Sequence, residues 1–385
     1  MQNNLVLLHI SLIEGAGPVA AQKILAAISN LTDIYQMTAE DIGRQADISL
    51  SLSQEIWQAL QDKRTLEKEL ALIDKHEVQW ISLACPEYPE ILKTIHMPPP
   101  IIYVQGSALR ETQKRIAIVG SRDANDYGKS VINSLVPTLV ERGWVIVSGG
   151  ALGADAFAHQ ATLDANGNTV VVLGAGLLNA GPPSNKYLFD AVVGQGGTLL
   201  SIFPMEMEGY KGNFPARNRV ISGLSKGTVV IQAAKKSGAL ITAQFALDDA
   251  REVFAVPGPI NDPLSAGCHA IIKQGAQLVH NVGDILQVFG EPWVDKEAQD
   301  EQATPKAVRV RPATKPVPRA EVQEELFTYP TPMEELIARA CVRPCSIDEL
   351  LAITSLTLPE LQDKLFTMQL EGKLLQNVMG MWEKR

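Results

Sequence analysis

The residues best suited to bind an anion lie between Asn213 and Ser225, where the chain runs NFPARNRVISGLS. Pro215 favours a first helical turn and Val220-Ile221 supply an apolar face, so the stretch predicts the start of a helix. Two arginines and two asparagines open it: Arg217, Arg219, Asn213 and Asn218. Free N–H groups at a helix start attract phosphate, and guanidinium groups bind it through paired hydrogen bonds. So many donors favour a ligand with several phosphates.

Three glycine-containing loops follow predicted strands and could bring backbone amides close to the same anion. They are Gly120-Ser121-Arg122, Ser148-Gly149-Gly150 and Gly174-Ala175-Gly176. Glycine lets the backbone approach an anion closely, and consecutive exposed amides form a cradle for it. Any one loop is explained equally well as a tight turn between strand and helix. Taken together with Arg122 and the arginine-rich helix start, the three loops favour an anion site.

Short β-rich segments alternate with helical segments between residues 80 and 290, which predicts an α/β fold with a parallel sheet and right-handed crossovers. The predicted strands are Ile116–Gly120, Val145–Ser148, Thr169–Leu173, Thr198–Ile202, Thr228–Gln232 and Val253–Val256. The predicted helices are Gly128–Arg142, Ala154–Asn166, Asn185–Val193, Pro215–Ser225 and Leu240–Ala250. In a doubly wound, Rossmann-like sheet, ligands bind beyond the carboxyl ends of the strands. The three glycine loops are therefore expected at one edge of the sheet.

The charges of the chain are unevenly distributed. The 385 residues carry a net charge of −9, which by itself argues weakly against a nucleic-acid ligand. Yet no Asp or Glu occurs between Gly209 and Leu247, where six lysines and arginines lie, and a second acid-free window, Ala165 to Phe189, contains Lys186. A locally basic surface on an acidic protein is the electrostatic footprint of a polyanion partner.

The composition predicts a cytoplasmic protein with reduced thiols. No apolar run reaches the roughly 18–20 residues of a membrane span, so no membrane association is expected. The first residues lack the basic segment and the small-residue cleavage site of an export signal. The four cysteines are Cys85, Cys268, Cys341 and Cys345. They form neither a CxxC pair nor a disulfide framework, and the CxxxC spacing of the last two has no matching half, so no metal site is predicted.

Four regions separate by composition: a helical domain at 1–75, the α/β core at 80–290, a linker at 291–322 and a small domain at 323–385. In the first region, Gly15-Ala16-Gly17 resembles the turn of a helix-hairpin-helix in SAM-like domains. Such a turn either meets a DNA phosphate or simply joins two packed helices, and both readings stay open.

The last region has the layout of a winged helix. Ser346 and Glu349 form a capping box that opens one helix, a second helix spans Leu358–Leu370, and a β-like run follows from Lys373 to Trp382. The second helix would be the recognition helix, but the sequence from Thr357 to Gly372 holds three acids and one lysine. Both DNA binding and a protein contact or structural role therefore stay open for this domain.

An ordered series of motifs resembles the DNA-processing protein A (DprA, also called Smf) family. The motifs span Tyr88–Gly106, Ile116–Gly128, Val147–His159, Val171–Gly176, Asn213–Ser225, Ser237–Leu247, Val253–Gly258 and Gly267–Leu278. The resemblance runs through nearly the whole chain, because the helical first region and the winged-helix tail match the longer members. It implies an extended Rossmann-like core between those two domains.

The resemblance further implies a recombination mediator of natural transformation, in competent cells, rather than an enzyme. Such proteins bind single-stranded DNA, protect it, and help load the RecA recombinase onto it while single-strand-binding protein is displaced. They act as homodimers and need no cofactor. The family's DNA site maps onto Gly120, Ser121, Arg122, Ser148, Gly149, Gly150, Asn185, Lys186, Asn213, Arg217, Asn218 and Arg219. The dimer interface maps onto His269, Ile272 and Leu278, and the RecA contact onto Leu247, Glu252 and Gln274.

On this basis, replacing Arg122 with alanine, or Arg217 and Arg219 together, is expected to weaken DNA binding without unfolding the protein. One departure from the family concerns the segment after Gly176. The family usually has an Asp and a Tyr-Pro there, whereas this chain runs LLNAGPPSNKYLF and loses the aromatic. Tyr187 and Phe189 are the candidates to replace it as a base-stacking platform.

A nucleotide-binding enzyme is the alternative, since Rossmann-like sheets commonly hold cofactors. The G-x-G-x-x-G fingerprint is missing, because Arg122 stands where the second glycine belongs, and Ser148 occupies the place of the ribose-binding acid. His159 could be a general base and Asp155 a ribose or metal ligand. A structural histidine and a capping aspartate are the simpler interpretations, and no catalytic residue is predicted.

Overall fold

The computed structural model describes residues 2–293, 332–341, 345–354, 356–370, 373–376 and 382–384. The chain divides into two compact units, Met1–Thr304 and Pro305–Arg385. Most of the predicted linker at 291–322 lies outside the described residues. Among the residues described, no helix has the length and apolar character needed to cross a membrane.

Residues 2–75 are helical, as predicted. The helices are α1 (Gln2–Ser11), α2 (Pro18–Ala27), α3 (Ala39–Ala46), α4 (Leu50–Leu60) and α5 (Arg64–Lys75), with a 3₁₀ turn at Leu31–Gln36. Thr38 and Ser49 cap α3 and α4 through their hydroxyl groups, which satisfies amide groups that the helix itself cannot pair. Ala16, in the turn between α1 and α2, is buried. That turn therefore joins two packed helices, and a DNA contact there stays a prediction.

A nine-stranded sheet follows. Its strands are β1 (Gln79–Ser82), β2 (Ile101–Gly106), β3 (Lys114–Val119), β4 (Trp144–Ser148), β5 (Thr169–Val172), β6 (Thr198–Ser201), β7 (Gly227–Val230), β8 (Glu252–Ala255) and β9 (Gln277–Leu278). Their order across the sheet is β1-β2-β6-β5-β4-β3-β7-β8-β9. The pairs from β6 to β9 are parallel, and β1 and β2 add an antiparallel edge. The predicted α/β fold with a Rossmann-like parallel sheet is confirmed.

Helices cover both faces of this sheet, as its buried strands require. They are α6 (Glu90–Lys93), α7 (Asp126–Glu141), α8 (Ala154–Asp164), α9 (Lys186–Gly194), α10 (Asn213–Gly223), α11 (Gly238–Asp248), α12 (Ala266–Lys273) and α13 (Val282–Val288). One apolar cluster joins α7, α8 and α13 to the sheet, and another joins α6, α10, α11 and α12 to the opposite face. All predicted strands and helices of the core are present, each within two residues of its predicted bounds.

The amino-terminal helices are not packed as an isolated module. A third apolar cluster contains Leu7 and Ile24 together with Phe189 of α9 and Leu199 of β6. The helices thus share a continuous core with one flank of the sheet. The predicted boundary between residues 75 and 80 stays a prediction.

The second unit contains, within its described residues, α14 (Pro332–Ala340), α15 (Ile347–Thr354), α16 (Leu358–Leu370) and the antiparallel strands β10 (Leu374–Gln376) and β11 (Trp382–Lys384). The predicted capping box is present, because the Ser346 N–H donates to Glu349 Oε2 at 2.9 Å and the Glu349 N–H donates to Ser346 Oγ at 3.2 Å. These elements agree in order with a winged helix, whose assignment stays a prediction. Cys341 and Cys345 are buried free thiols in its apolar cluster.

Candidate nucleic-acid interface

The candidate site lies where the strand order of the sheet reverses. β3 pairs with β4 on one side and with β7 on the other, so the loops after β3 and β7 diverge and leave a crevice at the carboxyl edge. A cleft of about 440 Å³ occupies this crevice. Its walls come from the loop after β3, the first turns of α10 and the amino terminus of α11. Lining residues include Arg122, Phe214, Arg217, Asn218 and Ser237.

A second cleft, of about 340 Å³, continues beyond the carboxyl ends of β4 and β5, where Gly149, Gly174 and Pro182 contribute to its walls. The two clefts have four lining residues in common: Arg122, Ala151, Phe214 and Arg217. We call the combined clefts the groove. Because it crosses the ends of three neighbouring strands, the groove extends over about 10 Å, which is longer than a single phosphate requires.

Arg122 lies in the middle of the groove and is exposed. Its guanidinium lies over the ring of Phe214, 4.9 Å from the centroid, in the arrangement of a cation–π contact. No carboxylate among the described residues forms an ion pair with it. The ring therefore orients a cation whose hydrogen-bond donors stay free for an anionic ligand.

The backbone of the loop that carries Arg122 is fixed by hydrogen bonds. The Ser121 N–H donates to the Gln232 carbonyl at 2.7 Å, and the Ser121 carbonyl accepts from the Ala154 N–H at 3.1 Å. A Cβ on Gly120 would lie 2.7 Å from the Cβ of Ala154, so only glycine allows this close approach between the loop and α8. The Asp123 N–H donates to Ser121 Oγ at 3.1 Å.

Arg217, in contrast, is almost fully buried, with 5% of its surface exposed. Its Nη1 donates to the carbonyls of Gly149 and Val172, the latter at 2.7 Å, and its Nε donates to Asn218 Oδ1 at 3.0 Å. The guanidinium also packs against Phe214, 5.6 Å from the ring centroid. Arg217 thus ties α10 to the ends of β4 and β5. It lines the groove, but most of its N–H donors already bond within the protein.

A buried carboxylate compensates this buried cation. Asp155 Oδ2 accepts from the Ala151 N–H at 3.2 Å, and a Cβ on Gly149 would lie 2.6 Å from Arg217 Nη1 and 2.7 Å from Asp155 Oδ2. Burial raises the pKa of Asp155, and the Arg217 charge opposes the increase. Burial likewise lowers the pKa of Arg217, and Asp155 opposes that decrease. Asp155 therefore holds the glycine loop beside Arg217, in agreement with the interpretation that it caps or orients this loop.

Three further predicted DNA-binding side chains also bond within the protein. Asn185 Nδ2 donates to the carbonyls of Gly150 and Ala151 at 2.9 and 3.1 Å. Asn213 Nδ2 donates to the Gly174 carbonyl at 3.0 Å. Ser148 Oγ donates to the Ile118 carbonyl at 2.6 Å. All three side chains are buried. They therefore shape the groove, and other groups must make the direct contacts with a ligand. Lys186, next to Asn185, is exposed.

The arginine-rich helix start is divided between two faces of α10. Residues two positions apart on a helix point about 200° apart, so Arg217 and Arg219 cannot share a side. Arg219 lies over the ring of Phe245 of α11, 4.4 Å from the centroid, and does not line either cleft. Asn218 lines the first cleft. Of the predicted DNA-binding residues, Arg122, Asn218 and the glycine loops therefore meet at the groove, whereas Arg219 does not.

Phe189 is buried, and its ring is among the atoms that a Cβ on Gly150 would meet, at 2.9 Å. It packs under the glycine loop and cannot offer a face to a base. Tyr187 is exposed. The suggestion of Phe189 as a stacking platform was therefore wrong, while Tyr187 remains available.

His159 is fully buried in α8, and its Nδ1 lies 2.7 Å from Thr169 Oγ1. Because that hydroxyl donates to the Ile146 carbonyl at 2.8 Å, it accepts from the histidine, which fixes the tautomer with hydrogen on Nδ1. Burial, with a smaller contribution from the Arg217 charge, lowers the pKa of His159 to about 3. The imidazole is therefore a neutral structural group at physiological pH.

Sequence reasoning missed several residues of the site. Phe214, between Asn213 and Pro215, is the apolar ring that orients Arg122. Ser237 caps α11 at the cleft, accepting from the Ala239 N–H at 3.3 Å. A serine ahead of a predicted helix is an ordinary cap signal, so this residue could have been found.

Two lysines of the predicted basic window are exposed at the first cleft, whereas a buried glutamine of the same segment was missed. Lys235 and Lys236 lie between Ala234 and Ser237, both of which line the first cleft. Gln232 Nε2 donates to Asn125 Oδ1 at 3.0 Å and its Oε1 accepts from the Asn125 N–H at 3.1 Å. It thereby ties the end of β7 to the start of α7. Gln232 could have been found from the sequence, because a polar residue at the end of a predicted buried strand indicates such a link.

The residues predicted for protein contacts lie elsewhere on the sheet. Leu247, Glu252 and Gln274 are exposed and lie at the end of α11, the start of β8 and the end of α12. Because crossover helices run back from the carboxyl edge, these positions lie at the amino edge, opposite the groove. Leu278 is exposed on the edge strand β9, Ile272 is half-buried on α12, and His269 Nε2 lies 3.0 Å from the Gly258 carbonyl.

Comparison with known proteins identifies the family. The family model described as DNA recombination-mediator protein A matches residues 79–290. Protein Smf from Synechocystis sp. is 29% identical over 394 residues and covers 97% of both chains. DNA processing protein DprA from Bacillus subtilis is 40% identical over 227 residues, which are 59% of this chain and 76% of the relative.

Two solved structures of 30% identity or more agree. The X-ray structure of DNA processing protein A from Streptococcus pneumoniae has a TM-score of 0.66 at 32% identity, covering 74% of this chain and 98% of that one. The structure of DNA processing protein A from Helicobacter pylori, which concerns its single-stranded DNA binding mode, has a TM-score of 0.50 at 30% identity, covering 55% of this chain and 95% of that one. The chain belongs to the DNA recombination-mediator protein A (DprA/Smf) family.

Proposed function

We propose that this protein binds single-stranded DNA in natural transformation and helps load RecA onto it, acting as a mediator and not as an enzyme. The observation that carries the proposal is the groove, in which the exposed guanidinium of Arg122 is oriented by Phe214 across the ends of three strands. A cation held in the middle of an elongated groove suits a chain of phosphates. The Helicobacter pylori relative, described for its single-stranded DNA binding mode, supports the same ligand.

The charges around the groove favour a polyanion. Exposed Lys235 and Lys236 lie at the α11 side, and exposed Lys186 lies at the start of α9. The helices α8 and α11 both begin at the groove, so their positive dipole ends face it. Backbone and helix-end contacts of this kind bind phosphate without reading bases, so binding should tolerate any sequence.

Two buried ionisable groups near the groove favour a binding role over catalysis, while a third, Asp123, is exposed and lines the first cleft beside Arg122. Asp155 is buried against Arg217 and the glycine loop, and His159 is buried against Thr169. An acid or base catalyst must reach a proton of its substrate. Because both side chains are used inside the protein, the proposal includes no catalytic residue and no cofactor.

The proposed protein partners would bind at the edge of the sheet opposite the groove. With RecA at Leu247, Glu252 and Gln274, the DNA groove would stay free, so strand and recombinase can be bound together. Self-association through the edge strand β9 and α12 would place two grooves in one homodimer. The proposal further includes displacement of single-strand-binding protein and action in the cytoplasm.

The test is the salt dependence of DNA binding by the full chain, followed by fluorescence anisotropy. With about four to six phosphates neutralised, log K against log salt should have a slope of roughly −3 to −4 for single-stranded oligonucleotides. Matched duplex and mononucleotides serve as competitors, and single strand is expected to compete best. A slope near zero, or tighter binding of a mononucleotide, would favour a nucleotide-binding enzyme instead.

A further inference from the structure

The segment between β6 and α10, residues 204–212, lies along one side of the groove, and we call it the rim segment. The Leu178 N–H donates to the Met205 carbonyl at 3.0 Å, and the Gly176 N–H donates to the Met207 carbonyl at 2.8 Å. These bonds attach the rim segment to the loop after β5. Gly209 of the segment itself lines the second cleft. The rim segment is therefore a wall of the groove.

The amino-terminal helices hold this wall from the other side. Glu69 of α5 is buried, with 6% of its surface exposed, and its Oε1 accepts from the Met205 N–H at 2.8 Å. Its neighbour Lys68 pairs with Glu206 at 2.5 Å. A buried carboxylate that accepts a backbone N–H forms a strong, charge-assisted hydrogen bond. Glu69 thus fixes the position of the rim segment relative to the groove.

The rim segment presents one large aromatic side chain to solvent. Tyr210 is 62% exposed, although its carbonyl is fixed by the Asn213 N–H at 3.0 Å. One edge of the ring packs against Gly212, where an added Cβ would lie 3.2 Å from Cδ2 and 3.3 Å from Cζ of the tyrosine. Gly212 has a φ of −67°, which any residue adopts. A side chain at position 212 would therefore displace the ring without straining the backbone.

We infer that Tyr210 is a stacking platform for a nucleobase of single-stranded DNA, held beside the groove by Gly212, the rim segment and Glu69. This inference rests on the proposed function. An exposed ring that is held at its edge, one residue from the groove wall at Gly209, leaves its faces open for unpaired bases to stack on. The nearby charges are compatible with it, because Lys68 neutralises Glu206 and exposed Lys211 offsets Glu208. A stacking contact accepts every base and so agrees with sequence-tolerant binding.

The decisive experiment compares oligothymidine with an abasic oligonucleotide of equal length, using the full chain. Thymine is chosen because it stacks weakly within the strand, so removing it changes the free ligand little. Tyr210→Ala should weaken binding of oligothymidine about tenfold and leave binding of the abasic strand unchanged. Tyr210→Trp should restore the oligothymidine affinity. An equal loss on both strands would show that the tyrosine does not contact bases.

Two further variants test how the ring is held. Gly212→Ala displaces the ring and should reproduce the base-dependent loss. Glu69→Ala should do the same and should accelerate hydrogen exchange at the Met205 amide, whereas Glu69→Gln keeps an acceptor oxygen and should preserve both properties. If Glu69→Ala accelerates exchange without changing affinity, the positioning role of Glu69 is refuted.

Tyr187→Ala tests the competing assignment, since Tyr187 is also an exposed tyrosine and is the other candidate platform. If the base-dependent loss appears there and not at Tyr210, the platform has been assigned to the wrong residue. Arg122→Ala separates this inference from the proposed function, because it should weaken binding of both strands. If the wild-type chain binds neither strand, the proposed function and this inference fail together. If Arg122→Ala weakens both while Tyr210→Ala changes nothing, only the inference fails.

Discussion

The guanidinium of Arg122 lies over the ring of Phe214, 4.9 Å from its centroid, although the two residues belong to different loops of the sheet edge. Arg122 follows β3, whereas Phe214 is the second residue of α10. Both residues line both clefts of the groove. The contact therefore places one oriented cation at the point that any ligand extending along the groove must pass.

Arg122→Ala should weaken binding of single-stranded DNA by about tenfold to a hundredfold, since a charge-assisted phosphate contact is worth roughly 1.5–3 kcal/mol. The melting temperature should change little, because Arg122 is exposed, its loop is held by backbone bonds from Ser121, and its contact with Phe214 is worth only about 0.5–1 kcal/mol. Anisotropy titrations and thermal unfolding measure the two effects.

Lys226→Ala is the control for the loss of one positive charge. Lys226 is exposed and precedes β7, so it lies at the amino edge, away from the groove. It should leave DNA affinity within about twofold of wild type. Equal losses from Arg122→Ala and Lys226→Ala would mean that net charge, and not the groove, determines binding.

Arg217→Ala should destabilise the protein, in contrast to the expectation from the sequence. It removes the donor to the buried Gly149 and Val172 carbonyls. Each buried hydrogen bond from a charged donor is worth about 1.5–3 kcal/mol. Denaturant unfolding measures the change in the free energy of unfolding.

Arg219→Ala provides the comparison within the same helix. It removes a cation–π contact to Phe245, which is worth about 0.5–1 kcal/mol at a partly exposed site. Its effect on stability should therefore be several times smaller than that of Arg217→Ala. Similar destabilisation by the two variants would contradict the division of the arginines between a buried and an outer face.

Arg217 and Arg219 illustrate what could be predicted from the sequence and what could not. The strand and helix bounds of the core were predictable because apolar periodicity and turn residues are local signals. Spacing also placed Arg217 and Arg219 in one anion-binding stretch. It could not show that Arg217 is buried, because burial depends on the carbonyls of Gly149 and Val172, which are remote in the chain.

The edges of the sheet were less accessible to sequence reasoning. β1, β2 and β9 were not predicted, and the first two pair antiparallel at one edge while β9 has two residues. The edge strands β1 and β9 have only four and two residues, too few for a periodic signal, whereas β2 is an inner strand of six residues that was missed although its first four are buried. The rim segment was missed for another reason. Its position depends on Glu69 and Leu178, which no local pattern connects to Met205.

His159 should make the protein less stable as the pH falls. Its pKa is lowered to about 3 in the fold from 6.5 in an unfolded chain. Between these values the unfolded chain takes up a proton that the folded chain does not, so folding stability is lost as the pH decreases. At about pH 5 the loss from this one group should be about 2 kcal/mol.

The measurement is the free energy of unfolding from about pH 7 to about pH 5 for wild type and for His159→Asn. Asparagine can still donate to Thr169 but does not titrate in this range. The raised pKa of Asp155 acts in the opposite direction in both proteins, so it cancels in the difference. The variant should lose less stability on acidification, and parallel curves would show that His159 is protonated in the fold.

Leu247→Asp should reduce loading of RecA onto single-stranded DNA without changing DNA affinity. Leu247 is 53% exposed at the end of α11, at the edge of the sheet opposite the groove. Strand-exchange assays with single-strand-binding protein present measure loading, and anisotropy measures affinity. Val288→Asp, at an exposed apolar residue of α13 that lines neither cleft, is the control. Loss of loading from both variants, or from neither, would place the RecA contact elsewhere.

Leu278→Arg should convert a homodimer into a monomer with weaker DNA binding. Leu278 is 48% exposed and lies on β9, whose outer edge is unpaired within the described sheet. Ile272, the other apolar residue predicted for the interface, is half-buried on the preceding helix and packs partly against the core. In a two-fold interface each substitution counts twice, so one charge per chain should suffice.

Light scattering across a concentration series reports the oligomeric state, and Val288→Arg, at a comparably exposed apolar residue of α13, is the control. A monomer should bind long single strands more weakly than the dimer, because two grooves on one strand share an effective concentration. On strands long enough for only one groove, the two forms should bind alike. If Leu278→Arg remains a dimer while Val288→Arg dissociates, the interface includes α13 and not β9.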